Sequence, residues 1–337
     1  MESVSAAAIY TLRFINQTNK SIFLTGKAGT GKTTLLKEII ATTHKNTVVV
    51  APTGIAALNA NGVTIHSMFQ LPFAAFIPDN KQLPHFSETV KFENRDSLGR
   101  HFKMNNVKRS VIRNMELLVI DEVSMLRADV LDAMDFMMRK VRRNERPFGG
   151  IQVLFIGDLL QLPPVVKNEE WEMLKNYYRG MFFFHSHIIQ QYPPLYIELD
   201  KIFRQTDSEF IDVLNNLRHN KITSEDVQLL NQFVQPDFDL KKNKGFIILT
   251  THNAKADTIN AKSLADLEGK QFTYLPEITA DFSEKIYPLE EKLHLKVGAQ
   301  VMFIKNDLNF EKQFYNGKMG VVSSLTEKEI FVHFPEE

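Results

Sequence analysis

The chain has 337 residues, of which 44% are hydrophobic and 24% are charged, as in ordinary globular proteins with about two domains. It contains no cysteine, which excludes disulfides, zinc–thiolate sites and thiol catalysis and favours a reducing compartment. Its 40 basic and 40 acidic side chains balance, so a strongly basic nucleic-acid binder is disfavoured, although a local groove can still be basic. No basic leader and no run of about 18 apolar residues is seen, which predicts a cytoplasmic, bacterial-type protein outside any membrane; a nuclear or mitochondrial location stays open.

Short apolar runs alternate with helical patterns along much of the chain. The runs are rich in Val, Ile, Leu and Phe with little polar alternation, which predicts buried strands of a mostly parallel sheet. The predicted strands are Ser21–Thr25, Thr47–Ala51, Leu117–Ile120, Ile151–Ile156, Leu195–Leu199 and Gly245–Thr250. Helical patterns cover Thr33–Thr42, Ala128–Arg143 and Ser208–Leu217. The alternation predicts an α/β fold with helices on both faces of the sheet.

Three segments depart from this rhythm. Gln70–Asn106 has no clear period and is interpreted as an insertion, partly loop, in the first domain. Tyr192-Pro193-Pro194 is interpreted as a domain boundary. Lys296–Ile304 and Lys318–Phe334 are typical of short antiparallel strands, with Asn316-Gly317 as a turn.

A phosphate-binding loop follows the first predicted strand. The eight residues from Gly26 to Thr33 match G-x-x-x-x-G-K-[ST] at every position, between a strand and a helix. In such a loop, Lys32 contacts the β- and γ-phosphates, and the Thr33 hydroxyl binds Mg²⁺. The candidate nucleotide-binding residues are Gly26, Ala28, Gly29, Thr30, Gly31, Lys32, Thr33 and Thr34. The motif predicts ATP and Mg²⁺ as ligands.

Two carboxylates end the third predicted strand. Asp121 and Glu122 follow Leu117–Ile120, where parallel sheets place their ligands. We expect Asp121 to hold Mg²⁺ with Thr33, and Glu122 to act as general base on the attacking water. The pair favours hydrolysis of the nucleotide over binding alone.

Two further residues are catalytic candidates on weaker grounds. Gln161 follows the strand Ile151–Ile156, and its amide could reach the γ-phosphate or its attacking water. Arg204 follows the strand Leu195–Leu199 and could neutralise charge on the transferring phosphate. From the residues alone, an ordinary turn and a surface arginine remain open as alternatives.

Seven segments together resemble one family. They are GKAGTGKTT, APTGIAA, TIHSMF, LLVIDEVSML, GDLLQLPPV, LDKIFRQ and NGKMGVV, in this order. The residues of these segments and their order resemble those of the petite-integration-frequency (PIF) DNA helicases, in the RecD-like branch of superfamily one. The resemblance implies an ATP-driven motor that moves 5′→3′ on single-stranded DNA and unwinds duplex or fork junctions as a monomer.

The resemblance also implies two RecA-like domains, residues 1–192 and 193–337, with a wedge-type subdomain at about 70–106. It makes Lys32, Asp121 and Glu122 catalytic, Gln161 the γ-phosphate sensor and Arg204 the first arginine finger. The DNA contacts that it implies are Pro52, Thr53, Gly54, Thr64, His66, Thr251, His252 and Asn253. Backbone N–H groups and small hydroxyls at such positions can hold phosphates without reading bases.

The chain departs from the family pattern after NGKMGVV. The family continues there with an SH3-like insertion and the last helicase motifs, which include a second arginine finger, whereas this sequence ends at Glu337. We therefore expect an incomplete second domain and slow ATP hydrolysis. The alternative is a P-loop ATPase fragment that binds nucleotide and DNA without unwinding. A protein-remodelling ATPase would not need APTGIAA or TIHSMF, and a nucleotide kinase would need an arginine-bearing lid.

Overall fold

The computed structural model describes residues 5–80, 91–101, 104–201, 207–239, 243, 246–277, 292–304, 307, 313–314 and 317–334. The chain divides into two compact units, Met1–Ile222 and Thr223–Glu337. None of the helices in the described part of the chain is long and apolar enough to cross a membrane.

The first unit alternates strands and helices. Its strands are β1 (Ile22–Gly26), β2 (Thr47–Ala51), β3 (Val63–Thr64), β4 (Ala75–Ile77), β5 (Phe92–Asn94), β6 (Leu117–Ile120), β7 (Gln152–Ile156) and β8 (Leu195–Leu199). Its helices are α1 (Ala6–Gln17), α2 (Lys32–Thr42), α3 (Gly54–Asn59), α4 (Ile65–Phe69), α5 (Arg95–His101), α6 (Asn106–Asn114), α7 (Ala128–Arg142), α8 (Asn168–Leu174), α9 (His187–Gln191) and α10 (Ser208–Arg218). Short 3₁₀ turns cover Val123–Met125, Pro147–Gly150 and Phe183–His185.

Six of these strands form one parallel sheet in the order β3-β2-β6-β7-β1-β8. Its side chains alternate between two buried cores, as the pleat of a strand requires. On β6, Leu117 and Val119 face the core formed with α1 and α2, whereas Leu118 and Ile120 face the core formed with α7. Burial of each such side chain contributes about 1.5–3 kcal/mol. The predicted α/β class, with helices on both faces of a parallel sheet, is confirmed.

The parallel register brings the carboxyl ends of the strands to one side, here called the carboxyl edge: the loops that follow β1, β2, β3, β6, β7 and β8. Gly26, the last residue of β1, pairs with Leu199, the last residue of β8. Ala51 at the end of β2 pairs with Thr64 at the end of β3. Segments distant in sequence therefore begin side by side along this edge.

Strand β8 changes the expected domain boundary. It pairs with β1 over its full length, from Ile22 with Leu195 to Gly26 with Leu199. It therefore completes the sheet of the first unit, and the chain divides after Ile222 rather than after Tyr192.

The insertion predicted between Gln70 and Asn106 contains a small parallel pair, β4 with β5, followed by α5. The backbone N–H of Phe76 on β4 donates to Asp129 Oδ2 on α7 at 3.0 Å, which ties this pair to the main body. Residues 81–90 and 102–103 of the insertion lie outside the described residues.

The second unit contains two helices and five short antiparallel strands among its described residues. They are α11 (Ser224–Asn231), α12 (Asn253–Ala265), β9 (Phe272–Tyr274), β10 (Leu293–Leu295), β11 (Gln300–Met302), β12 (Met319–Leu325) and β13 (Ile330–His333). β9 pairs with β10, and β12 pairs with both β11 and β13, all antiparallel. The antiparallel strands predicted within Lys296–Ile304 and Lys318–Phe334 are confirmed. Gly317 precedes β12 with φ +95°, whereas Asn316 lies outside the described residues.

The strand predicted at Gly245–Thr250 is wrong for its described part. Phe246–Thr250 forms no strand, and the Leu249 side chain is 88% exposed. An apolar run becomes a strand only when a neighbouring strand pairs with its backbone. No described residue of this unit supplies that pairing to Phe246–Thr250.

Candidate nucleotide site and nucleic-acid interface

The phosphate loop joins β1 to α2 at the carboxyl edge. Gly29 and Gly31 have φ +79° and +85°, in the left-handed region that glycine adopts without strain. At Gly26, an added Cβ would lie 2.7 Å from the Leu199 carbonyl oxygen, so the chain can turn beside β8 only with glycine. No described side chain caps the start of α2, so its first N–H groups can donate hydrogen bonds to an anion. Three further nucleotide candidates, Ala28, Thr33 and Thr34, are exposed.

Lys32 lies at the start of α2 and turns back into the loop. Its ammonium donates to the carbonyl oxygens of Gly26 and Lys27 at 2.6 and 2.9 Å, which leaves one of its three donors for an anion. Burial of the ammonium lowers the pKa of Lys32, and Arg218 lowers it further. The carboxylates that oppose this lowering are, from the largest effect, Asp158, Glu122 and Asp121.

The acid pair follows β6, beside the phosphate loop. The Asp121 N–H donates to the Val50 carbonyl oxygen at 2.9 Å, and Asp121 Oδ1 accepts the Glu122 N–H at 2.9 Å. Burial raises the pKa of Asp121 to about 6; the Glu122 carboxylate also raises it, and the backbone hydrogen bond and Lys32 oppose both. Glu122 has φ +50°, a left-handed conformation that costs about 1–3 kcal/mol in a residue with a side chain. Such strain is concentrated at functional sites.

A metal at this position would need ligands from beyond the protein. The described residues contain no cluster of three His, Asp or Glu side chains suited to a metal ion. The Thr33 hydroxyl and the Asp121 carboxylate are oxygen ligands of the kind that Mg²⁺ takes, and phosphate oxygens and water would complete the shell of an ion that arrives with a nucleotide.

Gln161 lies in the loop after β7, and its Nε2 donates to Asp158 Oδ2 at 3.0 Å. Asp158 Oδ1 accepts the Leu160 N–H at 3.2 Å, and its Oδ2 also accepts a hydrogen bond from Arg218 Nη1 at 2.6 Å. Burial alone would raise the pKa of Asp158, but these hydrogen bonds, led by Arg218, hold it below its ordinary value. The sensor candidate, which is itself exposed, thus donates to a buried carboxylate that is paired with Arg218.

The sequence did not reveal two members of that cluster. Asp158 lies within GDLLQLPPV but had no predicted role, and Arg218 lies one residue beyond the predicted end of α10. The two residues are 60 positions apart, so no local pattern joins them. Arg204, the predicted arginine finger, lies outside the described residues.

The opposite end of the carboxyl edge holds the predicted DNA contacts of the first unit. Residues 52–54 follow β2, Thr64 ends β3 and His66 lies in the first turn of α4. The register of the two strands places Thr64 beside Ala51. Thr53 and Thr64 cap helices α3 and α4, because their hydroxyls accept N–H groups of the first turn at 3.3 and 3.2 Å. These segments therefore offer ordered helix starts with small polar side chains.

His66 carries an aromatic partner that the sequence did not indicate. Phe73 stacks on the His66 ring with centroids 4.7 Å apart and planes 13° apart, yet Phe73 is 83% exposed. Burial lowers the pKa of His66; Arg127 lowers it further and Asp129 partly opposes this. The pair presents an imidazole with a lowered pKa and an exposed phenyl ring.

The DNA contacts predicted for the second unit are Thr251, His252 and Asn253. All three are exposed at the start of α12, and Thr251 Oγ1 lies 2.8 Å from His252 Nδ1. Because the three residues are consecutive in the sequence, their proximity reflects only their position at the start of α12.

The chain matches the family model described as PIF1-like helicase over residues 4–228, more than half of its length. It belongs to the PIF1-like helicase family. The human ATP-dependent DNA helicase PIF1 is 34% identical over 312 residues, which are 90% of this chain and 44% of the human protein. The chain therefore spans less than half of that relative.

Two solved structures of Pif1 helicases match almost the whole chain. A structure that addresses DNA unwinding at forked duplex DNA by two coordinating Pif1 helicases has a TM-score of 0.82 and 39% identity, over 98% of this chain and 73% of that one. The Bacteroides Pif1 helicase in complex with ADP-AlF3 and single-stranded DNA has a TM-score of 0.81 and 38% identity, over 98% and 72%. These likenesses confirm the α/β, RecA-like fold.

Proposed function

We propose that this chain carries the motor of an ATP-dependent DNA helicase, which moves 5′→3′ on single-stranded DNA. The observation that carries the proposal is the carboxyl edge of the first unit. One end of the edge holds the phosphate loop, the acid pair and Gln161, and the other end holds Pro52–Gly54 and Thr64–His66. A shared edge lets a change at the nucleotide reach a bound strand through one rigid sheet.

The proposed reaction is hydrolysis of ATP. The β- and γ-phosphates lie against the start of α2 and accept a hydrogen bond from Lys32. Gln161 orients a water molecule, Glu122 takes its proton, the water oxygen bonds to the γ-phosphorus, and the bond to the ADP oxygen breaks. Thr33 and Asp121 would hold Mg²⁺, which neutralises charge on the phosphates. Arg204 is proposed to stabilise the same charge from the segment before α10.

Single-stranded DNA and duplex or fork junctions are the proposed partners. Capped helix starts at Thr53 and Thr64 suit phosphate contacts without base recognition. Residues Thr251, His252 and Asn253 are proposed to hold the strand from the second unit, and the insertion at about 70–106 to act as the wedge. The fork and single-strand complexes of relatives support these partners. That the chain acts as a monomer, in the cytoplasm, remains part of the proposal.

The test is ATP hydrolysis with and without a single-stranded oligonucleotide, across a series of salt concentrations. We expect the oligonucleotide to stimulate hydrolysis, and salt to weaken the stimulation because phosphate contacts release counterions. Absence of any binding to single strands would reject the helicase assignment.

A second assay addresses unwinding and its direction. Duplexes with a 5′ or a 3′ single-stranded tail are compared, and only those with a 5′ tail should be unwound. DNA-stimulated hydrolysis without strand separation on either substrate would favour the alternative, an ATPase that binds DNA without unwinding it.

A further inference from the structure

Helix α10 ends in an arginine that faces the nucleotide site. Arg218 Nη1 donates to Asp158 Oδ2 at 2.6 Å; the Arg218 side chain is 19% exposed and that of Asp158 is 1% exposed. A cation in the last turn of a helix is also favoured by the helix dipole. The contact is therefore a well-shielded ion pair at the margin of the phosphate site.

Gln161 donates to the same oxygen, Asp158 Oδ2, at 3.0 Å. An ionised carboxylate can only accept hydrogen bonds, so the side of the Gln161 amide that faces it must be the NH₂ group. The amide oxygen is then directed away from Asp158, where it can accept a hydrogen bond from an attacking water. A protonated carboxyl group would permit the opposite orientation of the amide.

We infer that Arg218 is a positioning residue for ATP hydrolysis: it keeps Asp158 as an ionised acceptor that orients the Gln161 amide toward the water. The inference rests on the proposed function, because it assigns Arg218 to the same reaction. Arg218 needs no contact with the nucleotide for this role.

The surroundings explain why Asp158 needs a cation beside it. A carboxylate as buried as Asp158 is costly unless it is paired and hydrogen-bonded. Without Arg218, only the Leu160 N–H and the Gln161 amide would remain of the three donors described around Asp158. Lys32 lies in the field of both Asp158 and Arg218, so the ion pair belongs electrostatically to the phosphate site.

Helix α10 has a second contact with the nucleotide site. This contact allows the orientation of the Gln161 amide to be tested separately from the attachment of the helix. Asn215 Oδ1 accepts Lys27 Nζ of the phosphate loop at 2.7 Å. Replacement of Asn215 by alanine loosens the same helix without touching Asp158. An exposed cation beyond the helix, Lys221, provides a control with the same loss of charge.

The experiment compares Arg218→Gln, Arg218→Lys, Asp158→Asn and the Arg218→Gln/Asp158→Asn double variant with Asn215→Ala and Lys221→Gln. In Arg218→Gln, kcat should fall about 10- to 100-fold because a reacting group is misplaced, while ADP affinity changes less than about threefold. Arg218→Lys, which keeps the charge, should recover most of kcat. The double variant should be no slower than the slower single variant, because both changes break one interaction. Lys221→Gln should match the parent chain.

Three results would overturn the inference. The first is an Arg218→Gln variant that keeps kcat within about twofold of the parent chain. The second is an Asn215→Ala variant that loses as much kcat, which would assign the effect to docking of the helix. The third is an Arg218→Lys variant that folds, as its melting curve shows, but recovers nothing. A parent chain without any ATP hydrolysis would instead reject the proposed function together with the inference.

Discussion

The two ends of the carboxyl edge are built in different ways. The end formed by β1, β6 and β7 concentrates buried charge and unusual backbone: Lys32, Asp121 and Asp158 with shifted pKa values, and Glu122 in a left-handed conformation. The end formed by β2 and β3 has capped helix starts and a histidine stacked on Phe73. Phosphoryl transfer needs charged side chains that are positioned before the reaction, which lowers the stability of the fold. A DNA strand that moves along the protein can instead be held by stacking and by phosphate contacts that are readily exchanged.

Substitution of Lys32 should impair the end of the carboxyl edge formed by β1, β6 and β7 and leave the end formed by β2 and β3 unchanged. We expect Lys32→Ala to lower ATP turnover at least about 100-fold, because a preorganised charge on the phosphates is lost. Its affinity for a single-stranded oligonucleotide in the absence of nucleotide should stay within about twofold. Steady-state hydrolysis and fluorescence anisotropy measure the two quantities. Lys37→Ala, on an exposed position of the same helix, is the matched control; wild-type turnover in Lys32→Ala would refute the phosphate-loop assignment.

Substitution of His66 or Phe73 should instead impair the end formed by β2 and β3. We expect His66→Ala and Phe73→Ala each to lower oligonucleotide affinity about 5- to 10-fold, because loss of a stacking surface costs at least about 1 kcal/mol. ADP affinity should be unchanged in both variants. His44, an exposed histidine before β2 and so away from the carboxyl edge, gives the control variant His44→Ala. Equal affinities of all four proteins for the oligonucleotide would remove the stacked pair from the interface.

The smallest expected effect concerns the free energy of unfolding, which the buried charge of Asp121 lowers. The pKa of Asp121 is raised to about 6 from an ordinary value of 3.8, so its charge destabilises the folded state fully above pH 6 and not at all below about pH 4. We therefore expect Asp121→Asn to raise the free energy of unfolding of the nucleotide-free protein by about 1–3 kcal/mol at pH 8. The gain should shrink as the pH falls through 6 and vanish near pH 4.

Thermal melting at several pH values measures this gain. Asp129→Asn is the contrasting variant, because Asp129 is paired with Arg127 at 2.8 Å and accepts the Phe76 N–H. That variant should be less stable than the parent chain. An Asp121→Asn protein that is no more stable than the parent chain at pH 8 would show that the charge of Asp121 does not destabilise the folded state.

Local patterns predicted the parts of the site that one strand and its loop contain. The phosphate loop and the acid pair lie directly after β1 and β6, and the predicted bounds of Leu117–Ile120 and Leu195–Leu199 equal the observed strands. The sequence could not say which sheet β8 joins, or that residues 246–250 pair with no strand among the described residues, because both depend on partners far along the chain. The same reason hides the Asp158–Arg218 pair and the stacking of Phe73 on His66.

The most direct test of the central claim is whether the two ends of the carboxyl edge bind separate ligands at the same time. Oligonucleotide affinity is measured with and without a non-hydrolysable ATP analogue and Mg²⁺, and analogue affinity with and without the oligonucleotide. We predict that both ligands bind together and change each other's affinity by the same factor, as linkage requires. Competition between them, or no binding of the oligonucleotide in either state, would contradict the account.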